Sequence, residues 1–122
     1  MAFTDDQPIF LQIMKVLEEG ILSGAYPEEG QVPSITEFST VYKINPATAL
    51  KGVNLLVDRG LLYKKRGVGM FVAEGAREKI LTRRRETFYE DYVRTLVREA
   101  KNLGLTENDL AALLERGMND GD

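Results

Sequence analysis

Basic and polar side chains that can bind phosphates and base edges are concentrated in one short stretch of the chain. Residues 46–72 contain five basic residues and one acidic residue, a net charge of +4, although the whole chain has a net charge of −3. Cations bind the nucleic-acid backbone, and Lys, Arg and Asn side chains donate hydrogen bonds to base edges. The stretch therefore predicts contact with nucleic acid. Its basic residues are Lys51, Arg59, Lys64, Lys65 and Arg66.

Composition argues against an enzyme, because catalysis would have to rest on carboxylates, lysines or tyrosines alone. The chain has no cysteine and no histidine, so it has no disulfide, no thiolate zinc site and no Ser-His-Asp triad. It also lacks the commonest general base and the commonest metal ligand. The carboxylates do not pair where the sequence predicts a cleft, and no phosphate-binding glycine loop of the usual spacing occurs. We therefore expect a protein that is not an enzyme and that uses no cofactor and no metal.

Three helices are predicted before residue 60. Apolar residues recur at helical spacing over residues 8–23, after Pro8. A capping box, Ser34-Ile35-Thr36-Glu37, begins a second helix over residues 34–42. Asn45-Pro46 begins a third helix, which ends near Gly60. Only about three residues separate the second helix from the third, which is the spacing of a helix-turn-helix.

The next segment predicts a β-hairpin. Two short strand-like runs, residues 61–65 and 70–72, flank Arg66-Gly67-Val68-Gly69, and the two glycines allow the backbone to turn at positive φ. Three helices followed by a hairpin is the order of a winged helix-turn-helix. We therefore predict a mostly α fold with a small β-hairpin: a winged helix-turn-helix DNA-binding domain over residues 1–73. The third helix and the turn of the hairpin would carry the basic side chains.

Residues 74–122 predict a two-helix C-terminal region. Glu74–Leu103 has the spacing of one long amphipathic helix, and Thr106 begins a last helix. The apolar residues of these two helices form a stripe along one side. Two helices alone cannot bury such a stripe, so we expect a homodimer. An alternative role for the aromatic part of the stripe, Phe88, Tyr89 and Tyr92, is to bind a small-molecule effector between subunits. The expected dimer-interface residues are Leu81, Phe88, Tyr92, Leu96, Leu103, Leu110 and Leu114.

The sequence predicts no association with a membrane. No apolar run approaches the roughly 18 residues of a membrane span. The first residues include Asp5 and Asp6 and lack the order of a signal peptide. We therefore expect a cytoplasmic protein.

Several motifs, in order and at the expected spacing, resemble the DNA-binding domain of the GntR family. The resemblance covers residues 8–72, and the Asn-Pro start of the third helix with a tail of about 50 residues is similar to the YtrA subfamily. It implies a bacterial transcriptional regulator, usually a repressor, that dimerises through its C-terminal helices. The regulated genes would include a transporter operon and the regulator's own gene. The motifs are Pro8–Ile13, Gly24–Tyr26, Gly30–Ser34, Asn45–Ala49, Gly60–Leu62 and Gly67–Val72.

The resemblance also implies which residues contact DNA. Ser34, Thr36 and Thr48 would bind phosphates, whereas Ala47, Lys51 and Asn54 would face bases. The remaining expected contacts lie at the start of the third helix and in the hairpin turn. They are Asn45, Lys65, Arg66, Gly67 and Gly69.

Two positions depart from the family pattern. Thr36 stands where the family often has arginine, and Leu50 stands where many members have a basic residue. Both departures remove charge, so we expect binding to depend modestly on salt. A threonine can still bond a phosphate, and a leucine can contact a thymine methyl group.

The sequence thus favours a regulator that binds double-stranded DNA, as a homodimer on an inverted-repeat operator. The alternative is a winged-helix module that binds another protein. The +4 charge of residues 46–72 argues against this alternative, because a protein-binding module does not require a basic third helix.

Overall fold

Six α-helices, one π-helical turn and one hairpin make up the part of the chain that the structure describes. A computed structural model describes residues 3, 4 and 6–121, and it divides the chain into two compact units, Met1–Thr82 and Arg83–Asp122. The prediction of a mostly helical chain with a small β-hairpin is confirmed. The elements are α1 (Ile9–Ser23), α2 (Ile35–Tyr42), α3 (Pro46–Asp58), β1 (Leu62–Lys65), β2 (Gly69–Val72), α4 (Ala76–Phe88), α5 (Arg94–Asn102) and α6 (Glu107–Asp120).

The core of the first unit lies where α1 crosses α3. A Cβ atom on Gly52 would lie 3.0 Å from the Phe10 carbonyl oxygen and 3.1 Å from Ile13 Cγ2. Glycine at this position therefore lets the two helices approach closely. The buried apolar side chains of this core include Ile13, Leu17, Ile21, Phe38, Ala49, Val53 and Leu56.

The predicted starts of α2 and α3 are confirmed by their caps. The Glu37 amide donates to Ser34 Oγ over 3.0 Å, and the Ser34 amide donates to Glu37 Oε1 over 3.2 Å. The Ala47 amide donates to Asn45 Oδ1 over 2.8 Å, and Pro46 occupies the first position of α3. These local contacts satisfy amides that a helix leaves unpaired, so they fix where each helix begins.

The hairpin pairs β1 with β2 in antiparallel register, from Leu62 opposite Val72 to Lys65 opposite Gly69. The segment that precedes α2 lies along the other edge of β2, where Gln31 forms a bridge to Phe71. The Val32 amide donates to the Met70 carbonyl over 3.0 Å. The hairpin is therefore attached to the chain before α2 by backbone hydrogen bonds that the sequence did not predict.

The start of α4 is part of the first unit and packs in its core. Ala76 and Ile80 are buried. Arg77 Nε donates to the Leu22 carbonyl and Lys79 Nζ to the Gly60 carbonyl, each over 3.4 Å. Cations near the carboxyl ends of helices bind unpaired carbonyls and interact favourably with the helix dipole. These contacts therefore stabilise the carboxyl end of α1 and the turn that follows α3.

Ser39 of α2 offers a test of the core. Its side chain is buried, and its hydroxyl has no hydrogen-bond partner among the residues that the structure describes. Ser39→Ala should raise the free energy of unfolding by about 1 kcal/mol, because an unpaired buried hydroxyl is removed and alanine favours helix. Urea unfolding of both proteins measures the difference. A clear loss of stability in Ser39→Ala would show that the hydroxyl has a partner.

Helical structure extends over most of the predicted span, Glu74–Leu103, with one local departure from α-helical geometry. A π-helical turn, Tyr89–Val93, separates α4 from α5, and the Arg94 amide donates to the Tyr89 carbonyl. The apolar residues of this region follow one another in steps of four, at 88, 92, 96 and 100. A step of four residues is longer than one α-helical turn of 3.6 residues, so side chains at this spacing drift around an α-helix. A π turn has more residues per turn and therefore keeps these side chains closer to one face. The last helix begins as predicted, with Thr106 and Asp109 forming a capping box.

Candidate nucleic-acid interface

The outer face of α3 is polar and exposed. Ala47, Lys51 and Asn54 are exposed, whereas Ala49 and Val53 on the other side of the helix are buried. Leu50 lies on the same outer face, with 47% of its surface exposed. A helix with a buried stripe and an exposed polar face can present the exposed face to a groove of DNA.

Lys51 is held by an aromatic ring of another helix. Its ammonium lies 4.0 Å from the centre of the Phe10 ring in α1. Such a cation–π contact contributes about 0.5–1 kcal/mol at an exposed site. Phe10 therefore restricts the orientations of a charged side chain on α3, a role that the sequence did not predict. The two residues lie 41 positions apart, so no local pattern connects them.

The turn of the hairpin extends its basic side chain into open space. Arg66 and Gly67 are exposed, and Gly67 has φ +78°. A Cβ atom added to Gly67 would meet nothing within 4 Å in the described part of the chain. Beside the turn, the Lys65 ammonium lies 4.3 Å from the centre of the Phe71 ring. The Phe71 ring is also stacked on Tyr63, with ring centres 6.0 Å apart. On one face of the hairpin, the Lys65 ammonium therefore contacts the Phe71 ring, which is itself stacked on Tyr63.

The base of the hairpin is joined to the segment before α2 by a side-chain hydrogen bond. The Tyr63 hydroxyl donates to Glu29 Oε2 over 2.6 Å. This bond raises the pKa of the Tyr63 hydroxyl above its usual value, and partial desolvation and the Glu29 charge act in the same direction. Tyr63 therefore remains a neutral donor at physiological pH.

The turn itself is contacted by Gln31. Gln31 Nε2 donates to the Val68 carbonyl over 3.0 Å. The sequence did not predict a role for Gln31, because the two residues lie 37 positions apart and a single glutamine has no distinctive spacing. The Gln31 amide thus connects the segment before α2 with the turn that carries Arg66.

The candidate phosphate-binding residues lie at the amino ends of α2 and α3. Ser34 and Asn45 use their side-chain oxygens to cap these helices, as described above. Thr36 is exposed in the first turn of α2, and Thr48 is half-buried in the first turn of α3. Amides and hydroxyls at helix amino ends attract anions. The three predicted phosphate-binding residues, Ser34, Thr36 and Thr48, thus lie at helix amino ends, as does Asn45.

The candidate dimer-interface residues lie mainly in the second unit. Leu81 and Leu110 are half-buried, and Leu81 belongs to the first unit. The Phe88 and Tyr92 rings contact each other, with centres 5.3 Å apart. The remaining candidates are exposed in the single chain: Phe88, Tyr92, Leu96, Leu103 and Leu114.

The chain shows neither a metal-binding cluster nor a membrane helix in its described parts. Within residues 3, 4 and 6–121, no three Asp or Glu side chains come together in a way that could hold a metal ion. Over the same residues, no helix is both long enough and apolar enough to span a bilayer.

Curated relatives of the chain regulate transcription. No protein-family model matches it. It is 26% identical over 108 residues to the HTH-type transcriptional regulator YhcF of Bacillus subtilis, and the match covers 88% of each chain. It is 28% identical over 98 residues to the HTH-type transcriptional repressor YtrA of the same organism, which covers 80% of this chain and 75% of YtrA. These relatives are regulators and not enzymes, in agreement with the prediction from the sequence.

Solved structures extend the similarity to the whole fold. The DNA-binding domain of AraR, determined in complex with an operator, is 26% identical with a TM-score of 0.55, over 58% of this chain and 92% of that domain. A GntR-family transcriptional regulator from Bacteroides thetaiotaomicron is 31% identical with a TM-score of 0.77. This match covers 93% of this chain and 99% of the other. The chain therefore belongs to the GntR family of transcriptional regulators.

Proposed function

We propose that this regulator is a cytoplasmic repressor that binds an inverted-repeat operator as a homodimer and blocks access of RNA polymerase to a promoter. The observation that carries the proposal is the shared exposure of Lys51 and Asn54 on α3 and of Arg66 in the hairpin turn. The +4 charge of residues 46–72 supports contact with DNA, because neutralising phosphates supplies much of the affinity of DNA-binding proteins.

In this proposal, α3 lies in the major groove. The exposed side chains of its outer face, Ala47, Lys51 and Asn54, would contact base edges, where lysine pairs with guanine and asparagine with adenine. Ser34, Thr36 and Thr48 would bind phosphates and so set the position of α3. Arg66 would enter the neighbouring minor groove, where the negative potential attracts arginine.

The apolar face of the second unit supports the homodimer. Phe88, Tyr92 and Leu96 are more than 40% exposed in the single chain. Contiguous exposed apolar surface is typical of an interface with another protein. Two copies of α3 related by a two-fold axis would contact two half-sites about one turn of DNA apart.

The similarity to YtrA and the Asn45-Pro46 start of α3 support membership of the YtrA subfamily. YtrA is described as a transcriptional repressor. By analogy, we propose that the chain represses its own gene and a transporter operon.

The proposal is tested by selecting bound fragments from random and genomic DNA with the purified protein, at about 50 and 150 mM salt. The expected result is an inverted repeat that is still enriched at the higher salt, since nonspecific binding consists mostly of counterion release. Enrichment of a single half-site would contradict the homodimer. If no sequence were enriched at either salt, the protein-binding alternative would be favoured.

The exposed Leu50 side chain leads to a separate prediction, a preference of the protein for thymine at one position of each half-site. Its exposed side chain on the outer face of α3 can contact a thymine methyl group. Replacing one particular thymine in both half-sites by deoxyuridine removes two methyl groups, so it should weaken binding of the dimer about fifteenfold, about fourfold for each half-site. Leu50→Ala should bind both DNAs equally.

The control for Leu50 is Val41→Ala, which shortens an exposed apolar residue of α2. This variant should keep the preference for thymine over deoxyuridine. Fluorescence anisotropy with labelled DNA measures all of these affinities. An undiminished preference in Leu50→Ala would rule out the methyl contact.

A further inference from the structure

The hairpin turn is hydrogen-bonded to a residue outside the hairpin, Gln31 in the segment before α2. Within the turn, the Val68 amide donates to the Lys65 carbonyl over 2.9 Å. The Val68 carbonyl accepts the hydrogen bond from Gln31 Nε2. The backbone of Gln31 is itself fixed by its bridge to Phe71 in β2. The turn is therefore joined both to its own strands and to the segment before α2.

The space that the Gln31 amide occupies depends on Gly69. A Cβ atom on Gly69 would lie 2.5 Å from Gln31 Nε2, closer than a real contact allows. Gly69 also has φ +142°, a conformation that residues with a side chain rarely adopt. Glycine at this position thus permits the positive φ of the backbone and leaves space for the Gln31 side chain.

We propose that Gln31 is a positioning residue for the operator contact of Arg66. The proposal rests on the proposed function, because it concerns how the hairpin turn meets DNA. Arg66 is exposed, and the neighbouring Gly67 has open surroundings and a backbone that no side chain restricts. A turn that is already held in its bound shape loses less conformational entropy when it binds. The hydrogen bond from Gln31 to Val68 supplies this constraint two residues from Arg66.

The decisive experiment is a double-mutant cycle with Gln31→Met and Arg66→Ala on the selected operator. Methionine fills similar space but cannot donate the hydrogen bond to Val68. In the natural chain, Gln31→Met should lower operator affinity about 25-fold, since each of the two subunits loses one hydrogen bond and one such bond is worth about fivefold. In the Arg66→Ala background, the same change should have less than about a twofold effect, because the side chain that Gln31 positions is gone. An equal loss in both backgrounds would overturn the proposal in favour of a direct contact between Gln31 and DNA.

Order parameters of the Gly67 and Val68 amides, measured by NMR without DNA, test the same constraint independently of any operator. They should fall from values typical of a rigid backbone toward those of a flexible loop, below about 0.6, in Gln31→Met. Unchanged order parameters would overturn the proposal even if the operator were never found. Normal order parameters elsewhere and a single cooperative thermal transition show that the variant is folded.

Gln12→Met is the matched control for this experiment. Gln12 also uses its side-chain amide to bind backbone, donating to the Thr4 and Gln7 carbonyls over 2.8 and 2.9 Å. It holds the segment before α1, and it makes no contact with the hairpin turn in the described part of the chain. Gln12→Met should therefore leave the order parameters of Gly67 and Val68 unchanged. A general loss of rigidity in both variants would contradict a specific role for Gln31.

Discussion

Replacing Lys51 and Arg66 together by alanine should lower operator affinity about a hundredfold or more, since each contact of this kind contributes about 1–3 kcal/mol. Lys51 lies on the exposed face of α3, and Arg66 lies in the exposed turn of the hairpin. The variant should remain folded, because neither side chain is buried. Its melting temperature should fall slightly, since the contact of Lys51 with Phe10 is lost. Fluorescence anisotropy and thermal unfolding measure the two quantities.

A double variant with the same loss of charge elsewhere is the control. Lys101→Ala with Arg116→Ala removes two exposed cations of α5 and α6. The net charge then changes equally, so general attraction to DNA is matched. The control should bind the operator within about threefold of the natural chain, because long-range attraction between exposed charges is screened by salt. Equal losses in the two double variants would contradict the assignment of the site to α3 and the hairpin.

Leu96→Glu should convert a dimer into a monomer and weaken binding to the full operator about a hundredfold, because joining two binding modules raises avidity by at least that factor. Leu96 is 41% exposed in the single chain, and Phe88 and Tyr92 precede it at four-residue spacing. A carboxylate within an apolar interface has a high cost of desolvation. Sedimentation velocity at micromolar concentration measures the oligomeric state.

The affinity for an isolated half-site separates this effect from damage to the first unit. Leu96→Glu should bind a half-site as well as the natural chain does, since α3 and the hairpin are intact. Thr95→Glu places the same charge at the neighbouring exposed position of α5 and should remain a dimer. A natural chain that is monomeric at micromolar concentration, or a dimeric Leu96→Glu, would contradict the proposed interface.

The elements with local causes were predictable from the sequence. The capping box at Ser34 and the Asn45-Pro46 pair each begin a helix where the structure has one, because cap and first turn lie within four residues. The hairpin follows from two glycines at the turn. The outer face of α3 follows from helical periodicity, which separates buried from exposed positions.

The contacts between distant residues were not predictable. Gln31 and Val68, or Phe10 and Lys51, meet only when the fold is complete. The close approach at Gly52 likewise depends on where α1 crosses α3, and a glycine within a helical pattern does not reveal it. The π turn at Tyr89–Val93 was missed because three- and four-residue steps satisfy the pattern of an α-helix. Sequence patterns thus identified the elements of the site, but not the side chains that hold them in position.

Site-directed cleavage of the selected operator is the most direct test that α3 and the hairpin turn enter neighbouring grooves. The chain has no cysteine, so Asn54→Cys and Val68→Cys each provide a single thiol for an iron-chelate that cuts nearby DNA. The Asn54→Cys conjugate should cut within the major groove of each half-site. The Val68→Cys conjugate should cut in the adjacent minor groove, and both patterns should repeat with two-fold symmetry about one helical turn apart. Uniform cutting along the fragment by both conjugates would contradict the proposed interface.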